Sequence, residues 1–570
     1  MVQNDNDIEI LDVDVLVIGG GIAGLFGAIN AKEHHPEQRV LLVDKAQPGA
    51  SGASVFAAGV LTYCLPDDPD LESYKREIIE DNSEYMIDQD YVDTAMQESY
   101  ERFKDLVGFG VNFIRNADGS VKRVPALGTA YGRCSPYSGG GPHLMWTVRR
   151  HAVNRGVQML ERTVVTDLLL ADGCCAGAVG FGARDGRVYV FRAKSTLLCA
   201  GGLVYNRAPM GSAGATGDGM ALALRAGIEL RNMEQSGNAT IGPKGLGSPG
   251  LHIIFGLGAI LVNARGERFM ERYRPDLIEE ARRFELSRAV LQEWAAGRGP
   301  CYVDCTHLPQ ESITTIKRSL PLLARGLAAR RLDLSKDRIE YVSYGLSMAG
   351  LGGVCIRNAD GDVNMPGVWA AGWATDFCGG VMATPAASLC GSSSVGARAG
   401  RKAAERAAEI ATPSIDLADA KEMVRAAIAP LSKQKSGSME DLTLRFQGGI
   451  YQNINLIKDE GRLKVALSEL EAVESELEAS GAADAHELRK LHDLRNQVQL
   501  AHLSALASLM RQESRMSHFR ADYPNRDDES WLRWIVAKRV GGRLELRTED
   551  VPVEKWRYKP GKLEDKVRTP

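Results

Sequence analysis

Residues 12–45 begin Asp12-Val-Asp-Val-Leu-Val-Ile-Gly-Gly-Gly-Ile-Ala-Gly24 and end on Leu-Leu-Val-Asp44-Lys45. Val15 to Ile18 is a short apolar run rich in β-branched residues, too short for a helix, and it predicts a buried parallel strand. Gly19, Gly21 and Gly24 follow at G-x-G-x-x-G spacing and open directly into an alanine-containing helix. In such a turn the first glycine makes the bend, the second lets the backbone approach a pyrophosphate, and the third lets helix and strand pack closely. Unpaired N–H groups and a partial positive charge at the helix start suit phosphate. A second strand from Arg39 to Val43 ends in Asp44, about 20 residues on, where a carboxylate accepts bonds from a ribose diol. Glycine-rich turns are common, so the motif alone is weak. Strand, glycines, helix, strand and acid together predict a dinucleotide site; the competing reading is a Rossmann-like turn with no ligand.

The chain has 570 residues, enough for three or four domains, and 44% hydrophobic residues, ample for large cores. A net charge of −4 gives no electrostatic argument for nucleic acid or an anionic membrane. No apolar run reaches the roughly 18 residues of a membrane span. The polar N-terminus, Met-Val-Gln-Asn-Asp-Asn-Asp, lacks a signal pattern, so a cytoplasmic location is expected. The 10 cysteines include no C-x-x-C pair and have neither ferredoxin nor zinc spacing. No metal ligand set is assigned, and any iron–sulfur cluster would sit on another chain.

Beyond Asp44, Gly49 to Gly59 is dominated by small residues, as backbone lying against a flat ring requires; Ser51 and Ser54 could bond phosphate or ring atoms. An ordinary loop is the alternative. Residues 70–107 read as amphipathic helices and 129–142 as a loop, followed by a helix from His143 and a strand near Gln158 to Leu160. Val164 to Leu170 and Ala176 to Phe181 predict a hairpin across Asp172-Gly173. Thr196 to Cys199 is another short strand, ending in Ala200-Gly201-Gly202. Lys464 to Leu477 and His486 to Leu509 predict long antiparallel helices joined near Gly481.

The order of these pieces resembles the succinate dehydrogenase/fumarate reductase flavoprotein family, which includes L-aspartate oxidase and the adenylylsulfate reductase α-subunit. The resemblance rests on the glycine loop, the small-residue loop, Ala200-Gly201-Gly202, Thr216-Gly-Asp-Gly219, Ile260 to Met270 and Gly367 to Gly372. Late in the chain Arg511-Gln-Glu-Ser-Arg515 and His518 to Asp528 complete it. It implies an α/β fold: a Rossmann-like FAD-binding domain (10–250 and 350–410) with an inserted α+β capping domain (251–349). A helical domain (411–510) and a C-terminal segment (511–570) follow. It also implies FAD contacts from Gly19, Gly21, Ala23, Gly24, Asp44, Lys45, Ser51, Ser54, Gly59, Val165, Ala200, Gly201, Asp218, Gly372, Asp376, Ser392, Ser393 and Val395.

In that family a hydride passes between substrate carbon and flavin N5, and histidines and arginines hold the substrate carboxylates. The family's covalent flavin histidine would fall near Ala53, yet no histidine stands between His35 and His143, so FAD should be non-covalent. The carboxylate-holding histidines align near Ala239 and Met348, and the arginine near Ser388. An arginine and a glutamate become Phe255 and Leu257; the carboxylate after Ala371-Gly372 becomes Trp373, with Asp376 near enough to substitute. A small dianion needs those cations, since a buried unpaired carboxylate is costly. The resemblance therefore implies a larger or less anionic substrate. Arg283 takes the place of the family's proton donor, with His252 and Tyr344 as further acid/base candidates. Glu513, Arg515, His518 and Arg520 are expected to form a structural ion-pair network. The implied activity is FAD-dependent oxidoreduction with a ferredoxin-like iron–sulfur partner, nearer the adenylylsulfate reductase branch, and the segment after about Val551 is a candidate docking strap. An O2-using oxidase like L-aspartate oxidase and a flavin-bearing electron relay are the alternatives.

Overall fold

The computed structural model describes residues 8–57, 59–125, 130–205, 214–246, 251–377, 387–435 and 437–561. Its central sheet starts from β1 (Ile8–Ile18), which continues through the Gly19 turn into α1 (Ile22–His34) and on to β2 (Val40–Val43). β2 pairs parallel to β1, with Val15 opposite Val40 and Ile18 opposite Val43. Gln158–Leu160 adds parallel beyond β2, and Val188–Leu198 pairs parallel with β1 on the other side. This last strand has two neighbours on its far edge. Its first half pairs antiparallel with Cys174–Gly182, and its last residues pair parallel with Val368–Ala370. The predicted hairpin is present as Thr163–Ala171 and Cys174–Gly182, with Asp172 and Gly173 both at positive φ (50° and 76°). Two such residues in succession give the turn whose twist matches the strands.

Both faces of the strands are covered, which is why their sequences are continuous apolar runs rather than alternating ones. On one face α1 lies against the helix Ser392–Glu409 at backbone contact distance. A Cβ at Gly396 would stand 2.4 Å from the Ala23 carbonyl oxygen, and one at Gly400 2.0 Å from that of Gly27. Small residues at four-residue spacing on both helices permit this approach.

A second sheet orders Gly237–Pro243, Ile339–Ala349, Cys301–Asp304 and Ile260–Val262, all antiparallel. With the helix Arg283–Ala295 it encloses its own core, including Leu261, Leu286, Val303, Ile313 and Tyr341. This is the capping domain. The two long helices are present as Glu460–Ala479 and Ala485–Met510.

Two expectations are corrected. Residues 129–142 are not all loop: Arg133–Pro136 pairs antiparallel with Val60–Thr62, and a helix already begins at Gly140. Four residues reading Arg-Cys-Ser-Pro carry no alternation to betray a strand. The segment after Val551 is not a free strap up to Tyr558. Trp556 and Tyr558 are buried, the Tyr558 hydroxyl donates to Glu72 Oε2 (2.8 Å), and the Gln89 side-chain amide donates to the Tyr558 carbonyl (2.7 Å). Residues 562–570 lie outside the described residues.

Candidate active site

The three loop glycines answer to different neighbours. Gly19 has φ +106°, and a Cβ there would stand 2.3 Å from the Cys199 carbonyl oxygen. At Gly24 a Cβ would stand 1.9 Å from the Gly19 carbonyl oxygen, so helix and strand touch. At Gly21 the nearest atom would be Ser54 Oγ at 3.7 Å, and the space above this glycine is open. Gly21 is the N-cap of α1 and supplies no side-chain cap. Ser54 does so from the small-residue loop, its hydroxyl accepting from Ile22 N at 3.3 Å. An open, donor-rich helix start beside a glycine with clearance fits a pyrophosphate.

Asp44 is fixed at the tip of β2: Oδ2 accepts from Gly20 N (2.6 Å) and Oδ1 from Ala46 N (2.7 Å). Each oxygen keeps a further lone pair for a diol. Lys45 is a strut. Its ammonium meets Asp218 Oδ2 (2.6 Å), Asp493 Oδ1 (2.9 Å) and Thr216 Oγ1 (2.5 Å). Burial opposes its charge, but the two carboxylates outweigh burial and its pKa is raised. Burial would lift the Asp218 carboxyl; Lys45 outweighs it and holds that pKa below the usual carboxylate range. Asp493, on the helix Ala485–Met510, lies 448 positions from Lys45 and was not legible in the sequence.

Ser51 Oγ is occupied by the Gln47 carbonyl (2.9 Å), and the Gly59 carbonyl accepts from Tyr137 N (2.9 Å). Val165 is buried beside the bulge between Val165 and Asp167. Ala200 and Gly201 follow the strand Val188–Leu198, and a Cβ at Gly201 would have no atom within 4 Å. Across from them, a Cβ at Gly372 would lie 2.8 Å from the Ala23 Cβ and 3.9 Å from Ser392 Oγ. Ala23, Gly372 and Ser392 thus share one wall, with Val395 buried in the first turn of the same helix. Ser393 turns inward, its hydroxyl donating to the Leu389 (2.8 Å) and Cys390 (2.9 Å) carbonyls. Asp376 departs from the expectation of an open acceptor. It is fully buried in an ion pair with Arg231, whose guanidinium stacks 3.9 Å from the centre of the Trp534 ring. Burial raises the Asp376 pKa against the pull of Arg231.

On the cap side, Arg283 is the first residue of its helix and partly buried, and burial holds its pKa down to about 10. Phe284, where the family carries an acid, joins the main hydrophobic core, shared by the FAD-binding and helical domains, instead of the cap core. Tyr344, the other acid/base candidate, lies on the strand Ile339–Ala349. Ser343 faces that helix, with its hydroxyl 2.6 Å from Ser287 Oγ. The next residue on a strand points to the opposite side, and Tyr344 indeed lies over Gly242 and donates to the Pro243 carbonyl (2.5 Å). His252 is on the short helix Leu251–Gly256, and its side chain lies outside the described residues, as does that of Met348. Phe255 does not line the cleft by displacing a charge: it fills the cap core, with Leu257 packed against the same cluster.

The centre of the late-chain network, Glu234, Arg511, Glu513 and Arg515, is buried, and Asp522 and Asp528 at its edge are partly exposed. Arg511 bonds Glu234 Oε1 (2.8 Å) and Glu513 Oε1 (2.8 Å), and Arg515 bonds both oxygens of Glu513 (2.7 and 2.9 Å) and Asp528 (2.8 Å). Arg520 pairs with Asp522. His518 is not an ionic member. Burial, then Lys458, Arg511 and Arg520, push its pKa well below the usual histidine range, so it is neutral.

The glycine turn, the Asp44 carboxylate and the wall of Ala23, Gly372 and Ser392 form the cradle of a dinucleotide-binding protein. A family model described as an FAD binding domain matches residues 14–394, and one described as fumarate reductase flavoprotein C-term matches residues 444–564. The chain belongs to the succinate dehydrogenase/fumarate reductase flavoprotein family and is an FAD-dependent oxidoreductase. One of the polypeptides of the CoM/CoB fumarate reductase from Methanothermobacter marburgensis is 27% identical, covering 93% of this chain and 98% of that protein. Among solved structures, E. coli quinol fumarate reductase superposes with a TM-score of 0.87 at 22% identity, covering 97% of this chain and 98% of that one. Adenylylsulfate reductase from Archaeoglobus fulgidus superposes at 0.79 and 20% identity, covering 95% and 96%. At these identities the structures speak for the fold. No helix among the described residues is long and apolar enough to cross a membrane.

Proposed function

We propose that this flavoprotein holds FAD without a covalent link, acts on a substrate less anionic than a small dicarboxylate, and exchanges electrons with a separate ferredoxin-like iron–sulfur protein. The observation that carries the substrate reading is Ala239. It stands where the family places a carboxylate-binding histidine, and it is fully buried with no polar side chain to offer. Ser388 likewise offers no cation at the family's arginine position. FAD would be held by Gly19, Gly21, Ala23, Gly24, Asp44, Ser54, Ala200, Gly201, Gly372, Ser392 and Val395, with Lys45 and Asp218 bracing the loop. The bound flavin supplies two-electron chemistry at an activated bond. Arg283 is the proton donor in this reading. Its pKa, held down to about 10 by burial, makes proton release easier than from an ordinary guanidinium, which supports this role.

The names of the relatives favour a second reading, reduction of fumarate or oxidation of succinate. Steady-state assays separate the two. Turnover of either dicarboxylate at roughly 1 s⁻¹ or faster overturns the first reading, and rates far below that are expected. The partner is tested by isolation from the native source, where co-purification of an iron–sulfur protein is expected. Isolation of the chain alone, with reduced flavin reoxidised by air at the full turnover rate and stoichiometric peroxide, would favour an oxidase.

The absence of histidine from residue 36 to 142 leaves the small-residue loop without the family's attachment nucleophile. Acid precipitation should therefore release the yellow flavin to the supernatant. Colour retained on the pellet, with a flavin mass adduct, refutes non-covalent binding.

A further inference from the structure

Glu84 stands at the meeting point of three parts of the molecule. Its Oε1 accepts from Arg282 Nη1 (3.0 Å), on the residue that caps the helix Arg283–Ala295. Its Oε2 accepts from Met516 N (3.3 Å), and its backbone carbonyl accepts from Arg515 Nη1 (2.8 Å), both in the C-terminal segment. Glu84 itself belongs to the turn that ends the helical stretch before residue 83. Glu84 and Tyr85 both adopt positive φ, 45° and 66°, as does Met516 at 48°. Side chains rarely occupy that region, and surrounding structure must hold them there.

Arg282 is fixed as firmly. Its guanidinium also donates to the Asp81 carbonyl, and to Glu285 Oε1 at 2.9 Å, while its backbone N–H donates to Glu285 Oε2 (2.9 Å). The guanidinium lies 4.9 Å from the centre of the Phe284 ring, and that ring belongs to the main hydrophobic core outside the cap. The rest of the cap is anchored elsewhere: Ser287 to Ser343, and Ser343 through its carbonyl to the Tyr451 hydroxyl (3.1 Å) on the helix Met439–Asn453. A Cβ at Gly345 would collide with the Asn455 side chain (2.5 Å). Among the described residues the cap is fastened on one side at the helical domain and, at the start of the helix Arg283–Ala295, where Arg282 meets Glu84; further along that helix Arg288 lies 4.6 Å from the centre of the Phe519 ring in the C-terminal segment.

We propose that Glu84 and Arg282 form a latch that pins the start of the cap helix Arg283–Ala295 to the FAD-binding domain and so sets the position of Arg283 over the cradle. Glu84 is a positioning residue and makes no contact with the reacting atoms. The latch has a local signature: releasing it frees the first turn of this helix, ahead of the Arg288 contact with Phe519, while the opposite side of the cap stays fastened. The functional part of the proposal rests on Arg283 as proton donor; the latch itself does not.

The test is hydrogen exchange on the FAD-loaded protein, comparing peptides covering 283–290 with those covering the cap helix Gln310–Ser319. Glu84→Gln and Arg282→Ala should each speed exchange over 283–290 by at least about 10-fold, leave 310–319 unchanged, and keep FAD bound. The double variant should match the stronger single variant, because both remove one interaction. Arg282→Lys, which can still pair with Glu84, should restore most of the protection. Unchanged exchange over 283–290, an even rise across the whole cap, or additive effects in the double variant each overturn the latch. Arg283→Ala separates the two ideas. If it keeps full turnover while the latch variants loosen 283–290, the proton-donor reading fails and the latch stands. If it loses turnover while they change nothing, the latch fails and the donor stands.

Discussion

Gly21→Val yields a folded protein that does not hold FAD. Gly21 has φ −72° and ψ −176°, an extended backbone that valine adopts readily. Its Cβ would meet nothing closer than Ser54 Oγ at 3.7 Å, so the protein alone has room for the side chain. That room is the approach to the start of α1, where the pyrophosphate must come within hydrogen-bond distance of backbone N–H groups. A branched side chain there should weaken binding at least about 100-fold, or 2.7 kcal/mol. The cost to the fold is limited to replacing glycine at a helix N-cap, about 1 kcal/mol. Gly24→Val is the contrasting variant. A Cβ at Gly24 would stand 1.9 Å from the Gly19 carbonyl oxygen, so it must push strand and helix apart and should fail at folding. Circular dichroism and flavin titration of the two variants check the distinction. A yellow, stoichiometrically loaded Gly21→Val protein refutes this placement of the pyrophosphate.

Glu513→Gln has the next largest effect. Glu513 is fully buried, and its two oxygens receive Arg511 and Arg515, themselves without solvent exposure. The amide keeps the volume and removes the charge, leaving the two guanidiniums with Glu234 and Asp528 as their remaining anions. Breaking a buried pair by removing one partner costs about 3–5 kcal/mol. The loss should appear as exchange over 511–534 faster by on the order of 10²–10⁴-fold. Glu460→Gln, which removes only the exposed pair with Lys464, is the control and should change stability by less than about 0.5 kcal/mol. Equal behaviour of the two variants would show that the network contributes specificity rather than stability.

What the sequence made legible was local. The glycine spacing, the apolar runs before and after α1 and the acid at the end of β2 lie within 34 residues and obey rules of backbone geometry. The hairpin at Asp172-Gly173 and the two long helices were readable for the same reason. Side-chain direction was not. Asp376 follows the glycine turn at a spacing that suits a ligand, but Arg231 lies on the other side of it and captures the carboxylate. Tyr344 is next to a residue that faces the cap helix and therefore faces away. Phe255 replaced a family charge in the alignment, yet the short helix around it turns the ring into the cap core. Lys45, read as a cofactor contact, is held by an aspartate far along the chain. Alignment to a motif gives the position of a residue; which neighbour claims its side chain is decided by contacts hundreds of residues apart.

The glycine-lined contact between α1 and the helix Ser392–Glu409 also fixes an order of events during synthesis. The two helices touch at Gly27, Gly396 and Gly400, about 370 residues apart, and the strand Val368–Ala370 that abuts Val188–Leu198 arrives equally late. The glycine loop is therefore on the ribosome, complete in sequence, long before its supporting layer exists. Its apolar helix must wait beside an unfinished sheet while the whole cap is made. At roughly 5–20 residues per second that wait lasts tens of seconds. Flavin loading is in this sense a late event, waiting for a layer made only after the whole cap.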